Sequence, residues 1–245
     1  MRKLLSVFVF VLGFTLFSTP SMARQGEALT RAYYDPVHAE IDQQAAFNTV
    51  AFVEKRWRVV GNRGFNESIQ YVVEQLKQAG FVEETKAGPR DRLTFRLEKR
   101  ALKKPTWEPI NASLKLASGE SLLNFRDNRN MIAINSFSTQ NELELEVVYV
   151  GSGRKLNFSK DLEGKLVFAE TSPGFLFREA VLKRKAAGII TYGLPSYLQP
   201  EKNLNSIQFG GIPLDSYQKS FGVLLSYQAH QKLKAALDKG QNKVR

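Results

Sequence analysis

The chain has few of the histidine and cysteine side chains that bind zinc in proteins. It contains no cysteine and two histidines, His38 and His230, which excludes a zinc-thiolate site. Neither histidine belongs to an H-x-D or H-E-x-x-H pattern, in which closely spaced side chains hold zinc. His38 lies in a polar segment, and we expect His230 on the exposed side of the last predicted helix. Both histidines are therefore expected at the surface rather than on a metal ion.

Motifs for nucleophiles and phosphates are equally weak. Gly151-Ser152-Gly153 is followed by Arg154 and lacks the Lys-Ser/Thr pair of a phosphate-binding loop, which indicates a tight turn after a strand. No G-x-S-x-G pattern marks a nucleophile elbow. We expect no catalytic, cofactor-binding or metal-binding residue in this chain. An enzyme that uses an unrecognised site stays open as a further alternative.

One loop has the composition of a contact surface. Residues 194–211 form a long, largely polar segment whose apolar side chains include Tyr197, Leu198 and Phe209. Long loops in compact domains are often functional. Two alternatives follow: these side chains pack back onto a sheet, or they form a possible contact surface for a partner.

The segment over residues 144–237 must position that loop. Lys165–Ala169 is a short apolar run, typical of a strand buried on both faces. A helix is predicted after Pro173, a second strand over Ile189–Tyr192, and a closing helix capped by Ser226. The expected inward stripes are Phe177, Ala180, Val181 and Arg184 on the first helix and Ala229, Leu233, Ala236 and Leu237 on the second.

These residues resemble the protease-associated (PA) domain. EGKLVFAE matches the family's x-G-K-I-V-L strand, AAGIITY matches its A-x-G-v-I-x-Y strand, and IP…GVLLSYQAHQKL matches its closing strand and helix. Lys185 stands where the family usually has another glycine. The resemblance implies a PA-type β-rich domain with flanking helices over residues 141–240. It also implies a role in shaping substrate access and mediating protein contacts.

Two helices are expected earlier in the chain. Residues 24–40 are polar and expected to be extended, and Ile41–Trp57 is predicted to be a helix. A second helix is predicted to start at a capping Asn66 and to end at Gly80. Its expected buried stripe consists of Ile69, Val72, Val73, Leu76 and Ala79.

Strands are expected between these helices and the PA-like part. Apolar alternation predicts one strand over residues 90–100 and another over Ala112–Leu116, and Met131–Ile134 is a further short apolar run. If a larger host domain is incomplete here, Leu93–Leu97 and Met131–Ile134 should present an unpaired sheet edge and an uncovered apolar face.

The segment RVVGNRGFNESIQYVVEQLKQAGF resembles the beginning of the catalytic domain of M28-type zinc metallopeptidases. The matching residues are Arg58, Gly61 and Gly64 of an R-x-x-G-x-x-G loop and Leu76, Gly80 and Phe81 of an L-x-x-x-G-F helix end. Family members hold two zinc ions with two histidines and several carboxylates, beginning with an H-x-D motif after the PA insertion. No position here matches those ligands. The resemblance therefore implies zinc only in a catalytic part that we expect to be missing from this chain.

The first 23 residues have the pattern of a secretory signal peptide. Arg2 and Lys3 precede an apolar run over residues 4–17, and Ser21-Met22-Ala23 resembles a cleavage site. We expect cleavage after Ala23, a secreted or periplasmic protein, and no membrane span afterwards. An uncleaved anchor is the alternative, although the apolar run is shorter than the roughly 20 residues that a spanning helix needs.

The net charge of +11 raises the question of a nucleic-acid partner. The basic residues are scattered, however, and no aromatic-interleaved basic motif appears, so no nucleic-acid partner is expected. Attraction to anionic cell-envelope surfaces stays open.

Together these observations predict a mixed α/β chain. Residues 24–140 are expected to be an N-terminal segment of an M28 peptidase-like domain and residues 141–240 a PA domain. The predicted function is that of the N-terminal region and PA domain of a secreted M28-like zinc exopeptidase, catalytically incomplete as this chain. The alternative is a free-standing, non-enzymatic, protein-binding module of the cell envelope. The expected partner is a peptide substrate or the missing peptidase half.

Overall fold

A computed structural model describes residues 22–153 and 155–245, with side chains from residue 30 onward. The chain divides into two compact units, the first ending at Lys55 and the second starting at Arg56. The predicted signal peptide, apart from its last two residues, lies outside the described residues. Among the described helices, none combines the length and the apolar character needed to cross a membrane.

The first unit consists of two helices, α1 over Met22–Ala39 and α2 over Gln43–Val53. The prediction of an extended segment over residues 24–40 is wrong. Seven of its 17 residues are Ala, Arg or Glu, whose intrinsic helix preference does not depend on a buried face. α2 begins after Asp42, whose carboxylate accepts hydrogen bonds from two backbone N–H groups of the first turn. It is therefore shorter at both ends than the predicted helix.

The second unit begins with a helix and four short strands. These are α3 over Arg63–Gln78, β1 over Val82–Glu83, β2 over Thr94–Phe95, β3 over Ser113–Lys115 and β4 over Ser121–Asn124. β1 and β2 pair in parallel, while β3 and β4 form an antiparallel hairpin. The strand predicted over Ala112–Leu116 is confirmed. The strand predicted over residues 90–100 shrinks to two residues, because only Thr94 and Phe95 find a strand partner.

A five-stranded sheet forms the centre of the second unit. Its strands are β5 over Leu145–Ser152, β6 over Leu166–Glu170, β7 over Gly188–Thr191, β8 over Phe221–Leu224 and β9 over Lys243–Val244, in the order β8-β7-β6-β5-β9. Strands β5 to β8 are parallel, and β9 is antiparallel to β5. The predicted strands in this region and the mixed α/β class are confirmed.

Helices cover both faces of this sheet. Leu166 and Phe168 of β6 pack in one core cluster with α5, which spans Tyr227–Asp238. Val167 and Ala169 pack in a second cluster with α4 over Pro173–Leu176, which continues as a π-helical turn over Phe177–Leu182. The prediction that this strand is buried on both faces is confirmed, as is the capping of α5 by Ser226.

The β3–β4 hairpin and the run over residues 131–134 flank the five-stranded sheet. Lys115 of β3 and Arg245 exchange reciprocal backbone hydrogen bonds of 2.8 Å, so the hairpin continues the sheet beyond β9. At the other edge, Ala133 donates its backbone N–H to Gly222 of β8, and Met131 is fully buried. The expected unpaired edge at Met131–Ile134 is therefore wrong, because this run covers the edge of β8. Leu93 and Leu97 are exposed, as expected.

Helix α3 differs from its predicted form at its start and along its face. Its cap is Asn62 rather than Asn66: the Asn62 Oδ1 accepts a 2.8 Å hydrogen bond from the Phe65 backbone N–H. Of the five residues predicted to be buried, Val73 is buried, whereas Ile69 and Val72 are exposed. The predicted end at Gly80 is confirmed by its φ of 85°. An apolar stripe of this helix therefore faces solvent.

The position of the cap predicts unequal effects for two asparagines. Asn62→Ala should lower the free energy of unfolding by about 1–2 kcal/mol, because it removes the cap and a bond from Asn62 Nδ2 to the Trp107 carbonyl. Asn66→Ala should cost less than about 0.5 kcal/mol, because this side chain is exposed. Urea denaturation of the two variants measures the difference. Equal losses would contradict the assignment of the cap.

Candidate binding site at the carboxyl edge of the sheet

A cavity of about 360 Å³ lies where β6, β7 and β8 end. Ligands of open parallel sheets bind outside the carboxyl ends of the strands, so this is the edge at which a site is expected. Hydroxyl groups in the lining come from Thr171, Ser172 and Thr191, and apolar side chains from Leu194, Phe209 and Leu225. A few hydroxyls on a mostly apolar wall are typical of small ligand-binding cavities.

One wall of this cavity is formed where Gly210 packs against Pro173. The loop over residues 194–211 returns at Gly210 to the start of α4. A Cβ atom on Gly210 would lie 3.2 Å from Cγ of Pro173, tighter than most real Cβ contacts. Glycine at this position therefore lets the end of the loop lie directly against the first turn of the helix.

Hydrogen bonds fix the loop to the body of the unit. The Asn130 side chain donates to the Ile207 carbonyl at 3.0 Å, and the Gln228 backbone N–H donates to Leu204 at 3.0 Å. Inside the loop, Asn203 donates to the Leu198 carbonyl at 2.8 Å and closes the 3₁₀ turn over Ser196–Leu198. The loop is thus held in place from both sides while its tip stays at the surface.

The apolar side chains of this loop point largely into solvent. Tyr197 is 76% exposed and Phe209 is 65% exposed, while Leu198 is 38% exposed. The alternative in which they pack back onto the sheet is therefore wrong for the two aromatic residues. Phe209 lines the cavity and is exposed at the same time, so it is accessible to a ligand. The contact function itself stays a prediction.

Two larger hollows lie elsewhere on the unit. One of about 450 Å³ is bordered by the starts of β5, β6 and β8, and one of about 650 Å³ lies beside β5. In the second, Lys165 pairs with Glu146 at 3.6 Å and with Asp161 at 3.7 Å, so these three charged side chains already bind one another. Neither hollow is lined by an exposed aromatic side chain among the described residues. The carboxyl-edge cavity is therefore the better candidate.

A polar cluster is centred on Glu170, the last residue of β6. Its Oε1 atom accepts three hydrogen bonds: from Tyr149 Oη at 3.1 Å, from His230 Nε2 at 3.1 Å and from Lys234 Nζ at 3.0 Å. His230 and Lys234 lie one turn apart on α5, which brings both to the same carboxylate. The next residue after Glu170, Thr171, already lines the cavity. The cluster therefore fastens α5 to the sheet beside the candidate site.

The protonation states of this cluster follow from its contacts. Burial raises the pKa of Glu170, but the hydrogen bonds from Lys234, His230 and Tyr149 outweigh it, and the pKa is lowered. Burial lowers the pKa of His230 despite the neighbouring carboxylate, so the imidazole is neutral near pH 7. The hydrogen bond to Glu170 raises the pKa of Lys234. At neutral pH the cluster holds one carboxylate, one ammonium group and a neutral imidazole.

The expectation that His230 lies on the exposed side of its helix is wrong. His230 is only 6% exposed, and its ring stacks on the Tyr192 ring with centroids 4.1 Å apart and an interplanar angle of 8°. With Nε2 donating to Glu170, Nδ1 is left as an acceptor with no hydrogen-bond partner among the described residues. The spacing held a signal for this position. His230 precedes Leu233 by three residues and Leu237 by seven, which places it on the inner face.

The described residues do not assemble a zinc site. They contain no group of three or more histidine, cysteine, aspartate or glutamate side chains that could hold a metal ion. His230 lies beside a single carboxylate and already donates to it. His38 lies exposed on α1 in the first unit, as expected. The donor set thus does not fit the two-zinc centre that the sequence resemblance implies for the complete family, and no chemical step is derived through zinc.

No protein-family model matches the chain, and no curated protein sequence matches it.

Proposed function

We propose that this chain is the exported N-terminal region and PA-type module of an M28-like exopeptidase, in which it captures peptide rather than cleaves it. The observation that carries the proposal is the carboxyl-edge cavity with Phe209 exposed at its rim. Aromatic side chains, phenylalanine among them, are enriched in protein-binding surfaces. The bound segment is an unfolded stretch of peptide that inserts one apolar side chain into the cavity.

A backbone detail supports the PA assignment. Lys185, which stands where the family usually has glycine, adopts a φ of 56°. This left-handed conformation is one that glycine adopts at no steric cost. A requirement for a left-handed residue at the end of the helix accounts for the family's preference there. It supports matching this chain to the family residue by residue in this stretch.

The exposed stripe of α3 favours a peptidase context over a free-standing module. Ile69 and Val72 lie on the predicted inner face of the helix and are exposed. β1 and β2 add a two-stranded sheet of two residues each, which is too small to cover that stripe. A larger catalytic domain supplies such a cover. In the free-standing alternative the stripe stays in solvent.

Phe209→Ala tests the proposed capture of peptides. A fluorescently labelled pool of random decapeptides should bind the wild-type protein saturably in an anisotropy titration. The variant should bind at least about tenfold more weakly, because aromatic anchors contribute about 2 kcal/mol or more. Tyr217→Ala is the matched control, since Tyr217 is 94% exposed but lies outside the cavity lining. Equal affinity of wild type and Phe209→Ala, or no binding by the wild type, would contradict the proposal.

A further inference from the structure

A second surface of this unit has a different composition. Residues 90–104 run almost wholly exposed along the surface and carry seven basic and two acidic residues. Three leucines lie between the charges, and all three are exposed: Leu93 at 50%, Leu97 at 40% and Leu102 at 49%. We call this stretch the basic strap. Its composition joins strong positive charge to accessible apolar side chains.

The cations of the basic strap are largely uncompensated. Arg96 and Arg100 pair with Glu98 at 2.7 and 2.9 Å. The other five cations have no carboxylate partner among the described residues: Arg90, Arg92, Lys99, Lys103 and Lys104. Asp91 is occupied as well, because it accepts a 2.7 Å hydrogen bond from the Gly88 backbone. The strap therefore offers five free positive charges to a partner.

The strap is nevertheless held in place near both ends. On one side Thr94 and Phe95 pair with β1. On the other, the Thr106 hydroxyl donates to the Val60 carbonyl at 2.8 Å. Leu102 packs over Gly61, where an added Cβ would lie 2.5 Å from the leucine Cδ1. A partner thus meets a fixed array of charges and pays little ordering entropy.

We propose that the basic strap docks this protein on the surface of an anionic phospholipid membrane. Lysine and arginine attract acidic headgroups, and leucines that alternate with them enter the boundary between headgroups and acyl chains. Nucleic acid is the less suitable partner, because single-strand binding surfaces rely on exposed aromatic side chains. The one aromatic residue of the strap, Phe95, is half-buried. This inference is independent of the proposed peptide capture.

Vesicle sedimentation tests the inference with protein recovered after export from a bacterial host. The wild-type protein should bind vesicles of mixed phosphatidylglycerol and phosphatidylcholine, and should bind vesicles of phosphatidylcholine alone far more weakly. It should dissociate from the mixed vesicles at about 1 M salt, because the Debye length there falls to about 3 Å. Changing the five unpaired strap cations to glutamine should reduce binding at least about a hundredfold, since each contributes several-fold. A separate double variant, Leu93→Ser with Leu97→Ser, keeps the charge of the wild type and should also bind the vesicles more weakly than the wild type.

The matched control removes the same charge elsewhere. The control changes five exposed lysines to glutamine that form no ion pair within the described part of the chain: Lys155, Lys160, Lys202, Lys219 and Lys239. This variant should lose less than about threefold in vesicle binding. Equal losses in the two five-residue variants would show that net charge alone acts and would overturn the inference. Binding of the wild type to DNA or polyglutamate in preference to the anionic vesicles would overturn it too.

Discussion

Phe168→Ala should be the most destabilising single truncation that we predict for this protein, with a loss of about 3–5 kcal/mol in the free energy of unfolding. Phe168 is fully buried at the centre of β6. Its ring contacts the Tyr149 ring at a centroid distance of 5.1 Å and the His230 ring at 6.0 Å. Truncation therefore removes apolar packing between the sheet and α5 and leaves a cavity directly beneath the Glu170 cluster.

Phe209→Ala is the matched control for this truncation. It removes the same atoms from a side chain that is mostly exposed, so the free energy of unfolding should change by no more than about 0.5 kcal/mol. Guanidinium denaturation of both variants, followed by tryptophan fluorescence, measures the two values. Similar losses would contradict the assignment of Phe168 to the core and Phe209 to an accessible rim. Stability of Phe209→Ala also ensures that a loss of peptide binding in this variant is not a loss of folding.

The central sheet could be predicted from sequence because its signals are local. Leu166–Ala169 is a continuous apolar run, and such a run requires cover on both faces. Ser226 directly precedes α5, and its side chain caps the helix by accepting a hydrogen bond from a backbone N–H of the first turn. In both cases the physical cause lies within a few residues of the element that it determines.

The predictions that were wrong depend on contacts between residues that lie far apart in the sequence. Glu170 meets His230 and Lys234 across 60 and 64 residues, and no local pattern announces that pairing. The polar type of His230 favoured the surface, although its spacing from Leu233 placed it inside. The stripe of α3 marks a face suited to burial, but whether it is covered depends on what packs there. Sequence periodicity identifies the apolar face of a helix, whereas the element that covers this face is set by contacts distant in sequence.

Glu170→Gln should lower the free energy of unfolding by about 1–3 kcal/mol near pH 7. The substitution keeps the shape of the side chain but removes the charge that accepts three hydrogen bonds on Oε1. Glu120→Gln is the control, because Glu120, outside the helix, also pairs with a lysine of α5, Lys232, at 3.0 Å on the surface. That exposed pair should contribute at most about 0.5 kcal/mol.

The dependence on pH separates the charge of Glu170 from its packing. The folded-state pKa of Glu170 is lowered, so its contribution is present above the unfolded pKa of about 4.3 and is lost as pH falls through the folded value. His230 acts in the same direction at higher pH. Burial lowers its pKa, so the unfolded state takes up a proton first below about pH 6.5 and stability declines.

The difference in stability between wild type and Glu170→Gln should therefore narrow below about pH 4.3. Glu144 and Glu179 also have lowered pKa values, through hydrogen bonds from Arg245 and Lys183, but they are present in both proteins and cancel. Urea denaturation of the two proteins at a series of pH values gives this difference directly. A difference that stays constant down to pH values at which wild-type Glu170 is protonated would mean that shape and packing, not the carboxylate charge, hold α5 on the sheet. The narrowing, in contrast, would make the Glu170 cluster an electrostatic clamp at the edge of the candidate binding site.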